Sequence, residues 1–357
     1  MPVDTERLNE FLGKAVGDMG AAMSAGLVMI GDRLGLYRAL ASDGPLNSTE
    51  LSSRTDTKER YVREWLLNQA ASGYVTYDPA TEKYSMTPEQ AFCLADPQSP
   101  GYIAGAFDIV ASTLRDQPKV ERVFTAGGGV PWGDHDACLF CGTERFFAAN
   151  YRGNLLESWL PALDGVVERL RSGACAADVG CGHGASTILM AQAYVKSTFV
   201  GFDFHAPSID CANQRARAAG LKNVRFQVAD AVSFPGPNGG GSSELFDFIA
   251  CFDCVHDMGD PAGCAKQVRR RLKPGGTWMV VEPDAGDKVE DNLNPVGRVF
   301  SAASTMICVP ASLASGGPGL GACAGPTRLK SVLAQGGFAS VRVATTTPFN
   351  LVLEARA

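Results

Sequence analysis

The sequence has no long apolar run and no excess of positive charge, and each shortage argues against a class of protein. It has four His, and its 32 Lys and Arg are outnumbered by 38 Asp and Glu, for a formal net charge of −6. A negative chain is poorly suited to non-specific binding of nucleic acid or of an anionic membrane surface. The longest mostly apolar run, Ala21 to Ile30, is too short to cross a bilayer. We expect neither nucleic acid nor a membrane as a partner.

The first residues and the cysteines give no sign of export. The opening Met-Pro-Val-Asp lacks the basic and apolar regions of a signal peptide. Eleven cysteines, an odd number, are scattered through apparent core elements. This usage is typical of free thiols in a reducing compartment. We therefore expect a cytoplasmic protein, and its 357 residues suggest about two domains.

Residues 1–95 are predicted to form an α-helical winged-helix domain. Apolar residues recur at helical spacing from Leu8 to Met19 and again from Met23 to Leu34, which predicts two helices. Ser48 is a candidate N-cap for a short helix, a longer helix covers 58–72, and two strands with a turn at Asp78 follow. The apolar opening helices have two open interpretations: ordinary core helices, or the surface of a homodimer.

The charge of this domain bears on DNA binding, because winged helices often bind DNA. Residues 1–95 carry nine Lys and Arg against thirteen Asp and Glu, a balance of −4. The helix that would enter a DNA groove opens Lys58-Glu59-Arg60, which mixes both signs instead of forming a basic stripe. A role in dimerisation and in covering a substrate is favoured.

Residues 96–170 are predicted to form a helical linker and a lid. A glycine-rich loop at 127–135 precedes a segment with several aromatic residues, and such loops often cover active sites. Candidate substrate contacts in this region are Trp132, His135, Phe147 and Tyr151. His135, Cys138 and Cys141 are residue types that ligate zinc, but a fourth ligand at a recognisable spacing is missing unless Cys251 or Cys254 joins them. We therefore predict no metal.

The stretch Ala177–Ser186 organises the third part, residues 171–357. It predicts a buried strand, a turn with Gly180, Gly182 and Gly184, and the start of a helix. The turn lets a ligand approach the backbone closely, and the helix start supplies free N–H groups. A second strand ends at Asp203, nineteen residues after Gly184, at a distance suited to a carboxylate that binds ribose hydroxyls.

Strands and helices alternate through this part, which predicts an α/β fold with a Rossmann-like, doubly wound, seven-stranded sheet. Later strands cover 224–228, 246–251, 277–282, 340–345 and 350–354, and Lys273 to Gly276 reads as a turn. Ligands of such sheets bind at the carboxyl ends of the strands. Asp203, Asp230, His256 and Glu282 all fall at such ends.

Five ordered segments resemble the class I S-adenosylmethionine-dependent methyltransferases. They are Asp178-x-Gly-x-Gly-x-Gly184, Gly-Phe-Asp203, Ala-Asp230-Ala, Val255-His256-Asp257 and Leu-Lys-Pro-Gly-Gly276. Together with the winged helix, the set is similar to dimeric small-molecule O-methyltransferases and to a bacterial branch related to them. The resemblance covers essentially the whole chain.

The resemblance implies a role for each matching residue. S-Adenosylmethionine would be the cofactor and a small molecule the methyl acceptor. His256 would be the general base and Glu282 would orient it. The implied cofactor-binding residues are Asp178, Gly180, Gly182, Gly184, Asp203, Phe204, Asp230, Ala231 and Asp253. The chain departs from the family at Met258, where a tryptophan that shapes the acceptor pocket is usual, so phenolic acceptors do not follow.

Three points stay open at this stage. Arg298, in the insert at 283–325, is a candidate contact for an acidic group of the substrate. Gly180-x-Gly182-x-x-Ala185 also fits an NAD-dependent dehydrogenase. A winged-helix transcription regulator that senses S-adenosylmethionine is the alternative that is not an enzyme.

Overall fold

The structure is a computed structural model that describes residues 3–239 and 244–357. The chain divides into two compact units, residues 1–114 with 137–150 and residues 115–136 with 151–357. The bridge predicted over 96–170 is therefore shared between both units.

The first unit contains the predicted winged-helix layout. Helices α1 to α4 and the two strands of an antiparallel hairpin occur in the predicted order, followed by a short helix. The elements are α1 (Thr5–Arg33), α2 (Leu36–Asp43), α3 (Ser48–Thr55), α4 (Glu59–Ala71), β1 (Thr76–Asp78), β2 (Lys83–Ser85) and α5 (Pro88–Leu94). Their buried side chains, Tyr37 and Trp65 among them, form one core.

Two details of the first unit differ from the prediction. The two predicted opening helices are one continuous helix, α1, because no proline interrupts the run and Asp4 caps its start by accepting from the N–H groups of Glu6 and Arg7. Ser48 is the first residue of α3 and not its cap. Asn47 is the cap, because its side chain accepts from the Glu50 N–H while Glu50 accepts from the Asn47 N–H.

Helix α1 exposes an apolar face along its first five turns. The exposed fractions of its large apolar side chains run from 41% at Leu8 to 80% at Met23. This face, called the α1 face below, comprises Leu8, Phe11, Leu12, Val16, Met19 and Met23.

Two long helices contribute residues to both units. Helix α6 covers Ala104–Ala126 and helix α7 covers Ala137–Asn154. A π-helical turn, Leu155–Trp159, continues α7, and helix α8 (Val166–Ser172) leads into the sheet of the second unit.

Seven strands of the second unit form a single sheet in the order β5-β4-β3-β6-β7-β9-β8. The first five are parallel, and β9 runs antiparallel to both neighbours. The strands are β3 (Cys175–Val179), β4 (Thr198–Asp203), β5 (Val224–Val228), β6 (Phe246–Phe252), β7 (Leu272–Pro283), β8 (Ser340–Thr346) and β9 (Asn350–Arg356). The strand order reverses between β3 and β6, so this is the edge at which ligands of doubly wound sheets bind.

Helices separate the strands as the alternating pattern predicted. They are α9 (Ala185–Ala193), α10 (Ala206–Ala218), α11 (Pro261–Arg271), α12 (Pro295–Ala303), α13 (Val309–Ala314) and α14 (Gly325–Gln335). Lys273 to Gly276 is not a separate turn. It lies inside β7, which starts at Leu272 opposite Phe246 and then shifts register before Thr277 pairs with Phe248.

One segment of the described residues, Pro295–Ala314, is apolar and long enough to cross a membrane by length and composition alone. It consists of α12, a π-helical turn (Ser304–Cys308) and α13. Ile307, Cys308, Ala311 and Ser312 are buried in the second unit. The Ser312 hydroxyl donates to the carbonyl oxygen of Met258 at 2.8 Å, so part of the segment packs beside the end of β6.

Candidate active site

The glycine turn after β3 leaves an open space beside the backbone. Gly182 has φ +51°, and no described atom lies within 4 Å of the position that its Cβ would take. Gly180 faces inward, because a Cβ there would lie 2.6 Å from the Cys254 sulfur. A side chain at either position would fill the turn or strain it, so the turn suits a ligand that lies against Gly182.

Asp203, at the end of β4, is bound to this turn. Its Oδ2 accepts from the Gly182 N–H and its Oδ1 accepts from the His205 N–H, both at 2.9 Å. Burial raises the pKa of this carboxyl, while the two backbone donors oppose the rise. A fixed carboxylate at the end of the second parallel strand is the group that binds ribose hydroxyls in doubly wound sheets.

Asp178 lies beneath the turn and is fully buried. Its Oδ2 accepts from the hydroxyls of Ser186 and Thr187, at 2.6 and 2.7 Å, in the first turn of α9. Its Oδ1 is buried and has no hydrogen-bond partner among the described residues. Burial raises the pKa of Asp178 to about 7, against the effect of the two hydroxyls. Its visible role is to hold α9 behind the glycine turn.

Asp253 follows β6 with a strained backbone, since its φ of +49° is unusual for a residue with a side chain. Asn350, at the start of β9, donates from Nδ2 to Asp253 Oδ1 at 2.7 Å and to the Glu282 carbonyl oxygen at 3.4 Å. Asp253 Oδ2 is buried, and no partner for it occurs within 3–239 or 244–357. Burial and the nearby Glu282 raise the pKa of Asp253 well above its usual range. A buried carboxyl oxygen without a donor is a candidate ligand contact.

His256 and Glu282 form a buried pair at the ends of β6 and β7. One carboxyl oxygen of Glu282 is hydrogen-bonded to His256 Nδ1, and the other accepts from the Val255 N–H at 2.8 Å. His256 is 4% exposed and Glu282 is fully buried. Burial lowers the pKa of His256, but Glu282 and Cys308 outweigh it and raise that pKa well above its ordinary value. The pair can therefore accept and hold a proton.

Two segments of the chain match known protein families. Residues 170–337 match a family model described as "Methyltransferase domain", and residues 22–96 match one described as "Rv2258c-like winged HTH domain". Residues 170–337 form a methyltransferase domain. The matched range contains the glycine turn, Asp203, Asp253, His256 and Glu282.

Individual proteins similar to this chain are also methyltransferases by name. The uncharacterized methyltransferase YcgJ of Bacillus subtilis is 32% identical over 105 residues, which are 29% of this chain and 39% of YcgJ. The chain spans less than half the length of the first curated relatives that it matches. Among solved structures, human N-acetylserotonin methyltransferase in complex with SAM has a TM-score of 0.71 at 18% identity, with 99% of this chain and 98% of that one covered. An O-methyltransferase family protein from Burkholderia thailandensis has a TM-score of 0.68 at 14% identity, with 100% and 98% covered. At these identities the likeness shows the fold.

Three further predicted cofactor residues, Phe204, Asp230 and Ala231, follow the ends of β4 and β5, whereas Gly184 follows β3. Phe204 is 61% exposed directly after Asp203. Asp230 is exposed, and its Oδ1 accepts from the Val232 N–H at 2.9 Å, which shapes the loop that contains half-buried Ala231. Gly184 is the buried N-cap of α9, and a Cβ there would meet Phe226 and Ala212, so this glycine serves helix packing.

The predicted substrate residues are distributed differently. Tyr151 is buried against Phe252, the last residue of β6, with ring centroids 5.2 Å apart, so it reaches the carboxyl edge of the sheet. His135 is buried, with Nδ1 2.9 Å from Asp116 Oδ2, and the Trp132 ring lies 6.3 Å from its ring. Arg298 is exposed on α12.

Phe147, Cys138 and Cys141 belong to the first unit. Phe147 lies on α7 beside Phe146, with centroids 5.2 Å apart. Across the described part of the chain, no group of three or more His, Cys, Asp or Glu side chains is arranged to hold a metal ion. All eleven cysteines lie in that part, and each is a thiol rather than half of a disulfide.

Sequence reasoning missed two residues of the site. Asn350 links Asp253 to the end of β7, and its only sequence signal is a polar residue directly before the apolar run at 351–353. Cys308 places its sulfur 3.3 Å from His256 Nε2. No motif marks it, because the two residues are 52 positions apart.

Proposed function

We propose that this protein transfers a methyl group from S-adenosylmethionine to a small-molecule acceptor, at an oxygen that must lose a proton. The supporting observation is the buried His256–Glu282 pair at the same sheet edge as the glycine turn, Asp203 and Asp253. A ribose-binding carboxylate and a held base at one edge are what this reaction needs.

The residues at this edge fit S-adenosylmethionine. Asp203 would accept from the ribose hydroxyls, and Asp230 and Ala231 would lie at the adenine. The unpartnered Oδ2 of Asp253 would accept from the ammonium group of the methionine part, and the turn at Gly182 leaves room for its backbone approach. Bound there, the cofactor supplies a methyl group on a positively charged sulfur, which is a very good leaving group.

His256 would take the proton of the acceptor. Glu282 is hydrogen-bonded to His256 Nδ1, which leaves Nε2 as the basic nitrogen. The Glu282 carboxylate stabilises the imidazolium that forms when Nε2 takes the proton. Since Glu282 raises the pKa of His256, the neutral imidazole increases as the pH rises through and above neutrality. Turnover is therefore expected to rise with pH over that range.

Calorimetric titration with S-adenosylhomocysteine, with NAD as a parallel ligand, tests the cofactor. We expect saturable binding of the first and none of the second. Asp203→Asn should weaken binding about 10- to 100-fold, because it removes a charged acceptor of hydrogen bonds. Asp210→Asn, exposed on α10, is the control and should bind normally. Binding of NAD alone would replace this proposal with a dehydrogenase.

Turnover of an identified acceptor tests the base. His256→Ala should lower kcat by about 10²- to 10⁴-fold, the usual contribution of a positioned general base. Glu282→Gln should lower kcat less and should move the pH profile, because the imidazolium loses its counter-charge. Full turnover by both variants would overturn the role of the pair.

A transcription regulator is the second candidate, favoured by the match of residues 22–96 to a winged HTH domain. The charges of α4 count against it. Arg60 is paired with Glu64 at 2.5 Å and Arg63 with Glu59 at 2.9 Å. Specific DNA binding that survives His256→Ala would favour a regulator. Failure of the protein to bind any fragment in a panel of genomic DNA would favour the enzyme.

We also propose that the protein is a homodimer joined through the α1 face, and that it works in the cytoplasm. The exposed apolar side chains of α1 support the first proposal. The eleven thiols support the second, because disulfides dominate in oxidising compartments.

A further inference from the structure

The thiol of Cys308 contacts Nε2, the basic nitrogen of His256. Cys308 is the last residue of the π-helical turn Ser304–Cys308, where α12 passes into α13. Its side chain is buried, and its sulfur is 3.3 Å from His256 Nε2. Single π-helical turns inside α-helices occur frequently at functional sites.

The position of Cys308 is supported by hydrogen bonds of the segment that follows it. Ahead in the chain, the Ser312 hydroxyl donates to the Met258 carbonyl oxygen and accepts from the Gly319 N–H at 3.1 Å. Gly321 then donates from its N–H to the His256 carbonyl oxygen at 3.1 Å. The segment is therefore attached to the residues around His256 at two points, Met258 and His256 itself, and these attachments keep the thiol beside Nε2 in the free enzyme.

The protonation state of His256 decides which atom donates. With Nδ1–H directed at Glu282, a neutral imidazole has its lone pair at Nε2, so the Cys308 S–H donates to it. When Nε2 gains a proton, that N–H donates to the sulfur instead. Cys308 can hold the ring in both states, and the sulfur contributes to the raised pKa of His256.

We propose that Cys308 is a positioning residue of the acid–base site and part of the acceptor's binding wall. Its thiol holds His256 Nε2 in the free enzyme and gives way to the acceptor's hydroxyl, which then lies against the sulfur. An acceptor hydroxyl must come within about 3 Å of Nε2 to pass its proton, on the side of the ring where the Cys308 sulfur lies 3.3 Å away. This inference rests on the proposed function of His256.

The first experiment measures His256 directly and needs no acceptor. With only four histidines in the chain, ring nitrogen signals in ¹H–¹⁵N spectra can be assigned by substitution and followed through a pH titration. Cys308→Ala should lower the pKa of His256 by about half a unit or more, a change of about threefold in proton affinity. Cys308→Ser, which keeps a donor and acceptor, should shift it less. Cys211→Ala on α10 is the control and should leave it unchanged.

An unchanged His256 titration in a folded Cys308→Ala variant would overturn the proposal. If Cys308→Ala does not fold, the same titration of Cys308→Ser carries the test. If His256 titrates in Cys308→Ser as in the wild type, Cys308→Val, which has no donor, decides between the outcomes. A lower pKa of His256 in Cys308→Val would support the hydrogen bond, and an unchanged pKa would count against it.

The second experiment separates binding from chemistry. Cys308→Ala should raise KM for an identified acceptor about tenfold or more, while S-adenosylhomocysteine binds as in the wild type. Cys308→Ser should bring KM part of the way back to the wild-type value. A KM equal to the wild-type value would remove Cys308 from the binding wall. If the wild type fails to bind S-adenosylhomocysteine, the proposed function fails, yet the histidine titration still decides the contact between Cys308 and His256.

Discussion

At the scale of single residues, the methyltransferase domain keeps several carboxyl groups out of water at one edge of its sheet. Burial raises the pKa of Asp178 to about 7 and also raises those of Asp203 and Asp253. Each of them makes the folded state less stable when it ionises without a positive partner. Such groups are retained where a ligand supplies the missing donors.

Asp178 gives a pH dependence of stability with a definite sign. Because folding raises its pKa, the native state keeps a proton that the unfolded chain releases above about pH 4. The free energy of unfolding should therefore fall between about pH 4 and pH 7 and level off above, with a contribution on the order of 2–4 kcal/mol. Asp178→Asn should make this fall shallower in urea unfolding.

The difference between wild type and Asp178→Asn in the slope of unfolding free energy against pH belongs to Asp178, because other titrating groups are common to both proteins. Burial also raises the pKa of Asp257 to about 7, and this contribution is common to the wild type and the variant. Asp210→Asn, an exposed change, should keep the wild-type slope. Parallel curves for the wild type and Asp178→Asn would contradict the prediction.

Residue types at strand ends were readable from the sequence, whereas their partners were not. Asp203, His256 and Glu282 were predicted at the carboxyl edge, because an α/β pattern places strand ends there. The contacts of His256 with Cys308 and of Asp253 with Asn350 join residues 52 and 97 positions apart. Such pairs depend on the way that α12, α13 and β9 fold back on the sheet, which no local pattern encodes.

At the scale of elements, the glycine turn can be tested against a turn of the same conformation. Gly182→Ala should weaken S-adenosylhomocysteine binding about tenfold or more, since a Cβ enters the open space and φ is +51°. Gly220→Ala, after α10, has φ +67° and open space around it, so the backbone cost is similar. It should lower stability by about 1 kcal/mol and leave binding unchanged in calorimetry. Equal binding losses in the two variants would mean that the effect is only structural.

Element types were predicted well because each has its own periodicity, whereas several boundaries were not. The seven strands and the winged-helix layout were confirmed. Helix α1 was predicted as two helices, and Asn47 rather than Ser48 caps α3. Adjacent polar residues such as Asn47 and Ser48 are both good caps, and tertiary packing decides between them.

At the scale of the whole molecule, the α1 face predicts the oligomeric state. Contiguous exposed apolar area costs about 25 cal/mol per Å², which a second copy would recover by covering it. Sedimentation velocity should therefore give twice the 37.6 kDa mass of one chain. Phe11→Asp with Val16→Asp should give the single-chain mass. Val195→Asp, which alters an apolar side chain 75% exposed in the other unit, should not. A single-chain mass for the wild type would exclude this dimer.

The place of β9 has a consequence for how the protein is made. Strand β9 lies between β7 and β8 although the ribosome synthesises it after both. Until β9 has left the ribosomal exit tunnel, the edge of β7 therefore stays unpaired and open to other chains. Asn350 of β9 also holds Asp253, so the site is completed in the same step. Translation must therefore pass β9 before the site is complete in any nascent chain.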